Sequence, residues 1–120
     1  MVEGTTRAAS RALTPATALV MSAMKASLHS AAAQDPSPPV VLGSINRSLA
    51  DLLSFHFVTA ACALVNRETR DAEVALAGHA PPVWFHAADA AVTQQGDGEL
   101  PLGVSRGTEY ASFSIRLGPG

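Results

Sequence analysis

Asp35-Pro36-Ser37-Pro38-Pro39 restricts what this chain can fold into more than any other five residues. Proline has no N–H to give and pushes the residue before it out of helical geometry, so a helix arriving from the N-terminal side must stop there. The same residues can start another helix. Ser37 suits an N-cap, and Pro38 suits the first helical position, where an N–H would be unpaired anyway. On either side apolar residues recur at three- and four-residue spacing. Leu19, Val20, Ala23, Met24, Ser27, Leu28 and Ala31 mark one stripe over 16–33, with Thr14 and Pro15 as start signals. Val41, Leu42, Ile45, Leu49, Leu52 and Leu53 mark another over 38–53. Two such helices on a short proline-rich link should lie roughly antiparallel, and their apolar stripes need a surface to cover.

The second half supplies that surface. Residues 57–65 form an apolar run without helix caps, which suits a strand buried on both faces. The polar turn at 66–71 leads into Glu73-Val74-Ala75-Leu76-Ala77, an alternating pattern that completes a hairpin. Gly78 breaks this strand and Pro81-Pro82 stiffens the exit, after which 82–86 reads as a short third strand. Residues 87–98 have the polar, glycine-containing composition of a surface loop. Tyr110, Ser112, Ser114 and Arg116 alternate with Ala111, Phe113, Ile115 and Leu117 as a last strand, over 110–117. The expected fold class is therefore α+β, two antiparallel helices packed on an antiparallel sheet.

Composition narrows the partners. Hydrophobic residues make up 48% and charged residues 15%, so the chain packs rather than staying disordered, and 120 residues suffice for one domain. A net charge of -2 with scattered basic residues gives no footprint for nucleic acid. No stretch reaches the roughly twenty unbroken apolar residues of a membrane span. Arg7, Arg11 and the alanine-rich run after them imitate a targeting peptide, but Thr14, Pro15, Thr17 and Lys25 interrupt it. The single cysteine, Cys62, has no disulfide partner and lies in an apolar run, which fits a reducing cytoplasm.

The usual signatures of chemistry are missing: there is no phosphate-cradling glycine loop followed by lysine, no paired-cysteine spacing and no histidine pair at helical spacing. Gln95-Gly96-Asp97-Gly98-Glu99 lacks the alternating oxygen ligands of a calcium loop and reads as surface. His79, between Gly78 and Ala80-Pro81-Pro82, sits where a kink could expose an imidazole, but with no second ligand nearby in sequence a histidine hydrogen-bonded within a sharp turn is the better account. His29, His56 and His86 read as packing or solvent contacts, and Trp84 with Phe85 as core or sheet surface.

The order of several segments resembles the SpoIIE-like branch of the PPM-type metal-dependent serine/threonine protein phosphatases. The landmarks are Phe57-Val58-Thr59-Ala60, the turn from Asn66 to Asp71, Ala77-Gly78-His79-Ala80-Pro81-Pro82, Leu100-Pro101-Leu102-Gly103-Val104 and Leu117-Gly118-Pro119-Gly120. Ser44-Ile45-Asn46-Arg47-Ser48-Leu49 and the helix opening at Pro15 resemble the two helices before them. The resemblance implies part of a β-sandwich flanked by helices, with a domain over 15–120 after a divergent segment over 1–14. In the full-length family, aspartates at one sheet edge hold two Mn or Mg ions that activate a water for attack on a phosphoserine or phosphothreonine. Substrates of this branch are typically anti-sigma-factor antagonists. Gly78, His79, Pro81, Pro82 and Gly103 match family landmarks near the active-site edge, and none of them is a metal ligand.

The departures matter as much. The family places a metal-binding aspartate and a glycine-rich turn just before the Pro-Ala helix, whereas Thr5-Thr6-Arg7-Ala8-Ala9-Ser10-Arg11-Ala12-Leu13-Thr14 holds no carboxylate. The family's other acidic motifs would fall before Met1 or after Gly120, the latter following an aspartate and an apolar strand. The reading is thus an incomplete phosphatase domain, without catalytic or metal residues of its own and inactive alone, its activity belonging to a longer parent acting on a phosphoprotein. The alternative is a degenerate, non-enzymatic protein-binding module. No cofactor is expected for this chain, and uncovered sheet edges and apolar faces would favour self-association.

Overall fold

The computed structural model describes residues 2–7, 15–53 and 56–119, and in it the proline link joins two helices as expected. Helix α1 spans Pro15–Gln34 and helix α2 spans Pro38–Leu49. Pro38 and Pro39 open α2 after Ser37, whose N–H is held at 2.9 Å by the Asp35 side chain; the Ser37 side chain itself makes no capping bond. The Thr14 cap falls outside the described residues. α2 ends four residues earlier than its stripe suggested, and 50–53 turn instead, with the Leu53 N–H still reaching the Leu49 carbonyl at 2.9 Å. That turn buries Leu53 completely and leaves Leu52 largely exposed. Leu19 is likewise not part of the buried stripe: it is 59% exposed, and α1 packs through Met24 and Ala31 with Val20, Ala23 and Leu28 beside them.

The strands are β1 (Val2–Arg7), β2 (Thr59–Val65), β3 (Asp71–Ala77), β4 (Val83–His86), β5 (Ala91–Gln94) and β6 (Ser112–Arg116). Four form one sheet in the order β1-β2-β3-β6, all neighbours antiparallel. The 57–65 run becomes a strand only from Thr59. Phe57 is 65% exposed, and Val58 instead pairs with Leu102. Nothing in the sequence reading anticipated β1, which pairs with β2 from Val2 opposite Leu64 to Arg7 opposite Thr59. The expected third strand does not join this sheet. β4 pairs with β5 in a separate ribbon, so 91–94, read as part of a surface loop, is a strand.

Alternation along β2 and β3 gives the main sheet two apolar faces. Ala60, Cys62, Ala75 and Ala77 point to one, where Val41, Leu42, Ile45 and Leu49 of α2 cover them and α1 packs behind. Small strand side chains let a helix of branched residues lie close, and these α2 residues are almost wholly buried. Ala72, Val74, Leu76 and Ile115 form the other face, with Trp84 and Phe113 packed partly over it. The result is the α+β architecture of two antiparallel helices on antiparallel sheets. Among the described residues no helix is long and apolar enough to cross a membrane.

Candidate functional site

The last residues of β3 run into a corner built on glycine. Gly78 has φ +64, in the left-handed region that side chains disfavour, and a Cβ there would overlap the Pro101 ring. Both features require glycine where the family landmark has it. The Gly78 N–H donates to the Glu99 carbonyl at 2.7 Å, and the Glu99 N–H donates to the Leu76 carbonyl at 3.1 Å, so the strip entering Leu100 lies along the end of β3. His79 Nδ1 lies 2.8 Å from the Ala80 carbonyl. A carbonyl can only accept, so Nδ1 carries the proton and Nε2 is the acceptor nitrogen of the neutral ring. Pro81 and Pro82 lead from this corner into β4, and Gln94 of β5 donates to the Pro81 carbonyl at 3.0 Å.

Two residues after Leu100 the strip is fixed again. Leu102, fully buried, exchanges both backbone hydrogen bonds with Val58, at 3.0 and 2.9 Å. Gly103 has φ +89, and a Cβ there would meet Leu53 side-chain atoms at 2.9 Å and the His56 carbonyl at 3.0 Å. Its N–H donates at 2.8 Å to Oδ1 of Asn46, the buried polar side chain of α2. Asn46 Nδ2 donates in turn to the carbonyls of Ser105 at 2.8 Å and Arg106 at 3.3 Å. Sequence reasoning placed Asn46 in a landmark helix and saw none of these bonds. The available signal was its position between Leu42 and Leu49, a polar residue inside an apolar stripe.

The candidate residues thus fall into two groups. Gly78, His79, Pro101 and Gly103 come together along one strip, with Phe57 and Val58 beside it. The landmarks around Asn66 and Leu117 meet elsewhere: the Leu117 N–H donates to the Arg70 carbonyl at 2.8 Å, at the opposite end of β3 from Gly78. Seven strand residues at about 3.3 Å each separate these ends by ~20 Å. Five landmarks in sequence therefore frame the sheet at both ends rather than forming one pocket.

Titratable groups are sparse at the strip. Tyr110, which ends the same loop, has a hydroxyl buried without a hydrogen bond. Burial pushes its pKa up and Glu99 adds to this; Thr108 is close enough to oppose the rise, but its own hydroxyl proton goes to the Ser105 carbonyl. Burial, followed by the charge of Glu73, pushes the Cys62 thiol up to about 11. The ion pairs Arg106–Asp51 at 3.7 Å and Arg116–Asp71 at 3.5 Å are solvent-exposed and contribute little. Among the described residues no three His, Cys, Asp or Glu side chains gather where they could hold a metal ion. These residues do not fit a binuclear metal centre, which needs several converging carboxylates to offset its positive charge.

Comparison with known proteins matches this sequence to a family. The sequence profile described as Stage II sporulation protein E (SpoIIE) matches residues 15–120. Among solved structures, the SiaA-PP2C domain of Pseudomonas aeruginosa superposes with a TM-score of 0.73 at 16% identity, covering 98% of this chain and 51% of that domain. The likeness shows a shared fold, and this chain spans about half the length of that domain. No curated protein matches the chain in sequence.

Proposed function

The chain belongs to the SpoIIE family of PPM-type phosphatases, and from that premise we propose that it forms the helix-covered framework of a metal-dependent serine/threonine protein phosphatase without supplying the metal ligands. One observation carries this reading. The family's Gly-His-x-Pro-Pro and Pro-Leu-Gly landmarks are braced together in one strip, with Pro101 seated on Gly78, yet among the described residues no cluster of carboxylates stands beside them. In this reading Gly78, His79, Pro81, Pro82 and Gly103 border the active-site edge and shape it, while binding of Mn or Mg, the metals the family generally uses, depends on groups other than these. The substrate of the complete enzyme would be a phosphoserine or phosphothreonine on a small bacterial regulatory protein of the anti-sigma-factor antagonist type, as in similar phosphatases.

The test is a phosphatase assay on the purified chain. With millimolar Mn or Mg, hydrolysis of a phosphoserine peptide and of an aryl phosphate should not exceed buffer, because the ligands are absent rather than mistuned. Turnover that copurifies with the chain through successive columns and disappears on chelation would overturn the reading.

A further inference from the structure

An asparagine within the buried stripe of a helix needs a reason, since a buried amide without partners is strongly unfavourable. Asn46 is fully buried between the turns that carry Leu42 and Leu49, where an apolar side chain would continue the packing of α2. Its partners explain it. Between Leu102 and Ser112 the chain has no strand ladder; Thr108 bonds the Ser105 carbonyl locally, but other backbone groups of 103–106 need partners from elsewhere. Asn46 supplies three: Oδ1 accepts from Gly103, and Nδ2 donates to Ser105 and Arg106. The orientation of the amide is fixed by this chemistry, because the N–H must face oxygen and the two carbonyls must face nitrogen.

We infer that Asn46 is a positioning residue: by holding Gly103, Ser105 and Arg106 it sets the path of the 99–106 strip and, through Pro101, the geometry of the Gly78–His79 corner. The mechanical links are direct contacts. Gly103 is locked at φ +89 between Asn46, Leu53 and the His56 carbonyl, leaving little room to shift. Leu102 next to it is fully buried and doubly bonded to Val58. Pro101 fills the space beside Gly78, where a methyl group would not fit, and Glu99 holds the Gly78 N–H. Releasing the strip at Gly103 therefore loosens it at Gly78. A structural asparagine that merely filled space would be replaceable by leucine, which is close in size; one that positions the strip is not. The relevance to catalysis rests on the phosphatase reading, but the inference is judged by the strip itself.

The experiment compares wild-type chain with Asn46→Leu and Asn46→Asp by hydrogen exchange and mass spectrometry, following peptides that cover 99–106 and 76–81 against peptides from β2. With leucine, exchange in the strip and the corner should accelerate about tenfold or more, because the Gly103 N–H loses its acceptor and the Ser105 and Arg106 carbonyls each lose a donor that ties them to α2, while β2 changes much less. Aspartate adds a readout that packing alone would not move. Protonated, it keeps an acceptor for Gly103 and regains an O–H donor for Ser105. Ionised, it turns negative charge toward two carbonyls. Burial and those carbonyls raise its pKa above the ordinary carboxylate value, so protection relative to wild type should be present at low pH and lost as pH rises through the raised value. Equal acceleration in all peptides, or protection in the aspartate variant that does not depend on pH, would assign Asn46 to general stability and overturn the inference. Unchanged exchange at 99–106 in the leucine variant would overturn it too. Phosphatase activity enters none of these outcomes, so failure here is distinct from failure of the phosphatase reading.

Discussion

The two faces of the β2–β3 sheet are built from the same strands and finished to different degrees. On the helix face, Ala60, Cys62, Ala75 and Ala77 are small, and α2 lies directly on them with Val41, Leu42 and Ile45 sealed from water. On the other face, Ala72, Val74, Leu76 and Ile115 are buried, but their cover is Trp84 and Phe113, both still partly open to solvent. The β4–β5 ribbon then turns Val83, Phe85 and Val92 outward, each more than half exposed. One face is a closed core under a pair of helices. The other is only partly covered and ends in an exposed apolar ribbon. Stability should therefore reside on the helix face, and association on the other.

The largest expected effect is on the closed face. Leu42→Ala should cost about 2–5 kcal/mol in urea denaturation, the range for a leucine removed from a core that cannot collapse around the gap. A loss under ~1 kcal/mol would mean that α2 does not seal the sheet as described, and the contrast between the faces would fail.

A pH titration sharpens the same face. The folded thiol of Cys62 is pushed from 9.0 to about 11, so its contribution is complete below pH 9 and is lost as pH rises toward 11, where the unfolded chain ionises first. Roughly 2 kcal/mol should disappear over that window, and Cys62→Ala should remove that part of the alkaline loss. If the two proteins lose stability in parallel from pH 9 to 11, the thiol is not as buried as the structure has it.

The smallest expected effect on stability tests the open side. Phe85→Ser together with Val92→Thr should change unfolding free energy by less than about 0.5 kcal/mol per site, as surface substitutions do. The same pair should shift sedimentation toward the monomer. Undiminished self-association in the variant would place the sticky surface elsewhere, for example at a sheet edge.

Much of this was legible in the sequence for local reasons. The proline link and the three-and-four spacing fix α1 and α2 because helix periodicity and caps are encoded within a few residues. The β2–β3 hairpin follows from its apolar run and polar turn, where Asn66 Oδ1 indeed accepts from the N–H groups of Glu68 and Thr69 at 2.9 and 3.1 Å. What escaped is what distant partners decide. Val2-Glu3-Gly4-Thr5-Thr6-Arg7 is too polar to announce a strand, and it becomes one beside β2. Ala91-Val92-Thr93-Gln94 hides in a polar stretch and needs β4 to be a strand at all. Phe57 has the composition of a buried strand residue but precedes the point where pairing begins. For the candidate site, the glycines at 78 and 103 were legible as landmarks, whereas the reasons they must be glycine, Pro101 and Leu53, are contacts across 23 and 50 positions of chain, respectively.

The central claim, that this chain carries the framework of the phosphatase and not its metal ligands, is tested most directly by titrating Mn²⁺ into the purified chain and following the electron paramagnetic resonance signal of the free ion. The expected result is a signal that grows with added metal as it does in buffer alone, since no three suitable side chains converge among the described residues. Loss of signal corresponding to one or two ions per chain, restored by a chelator, would contradict the account.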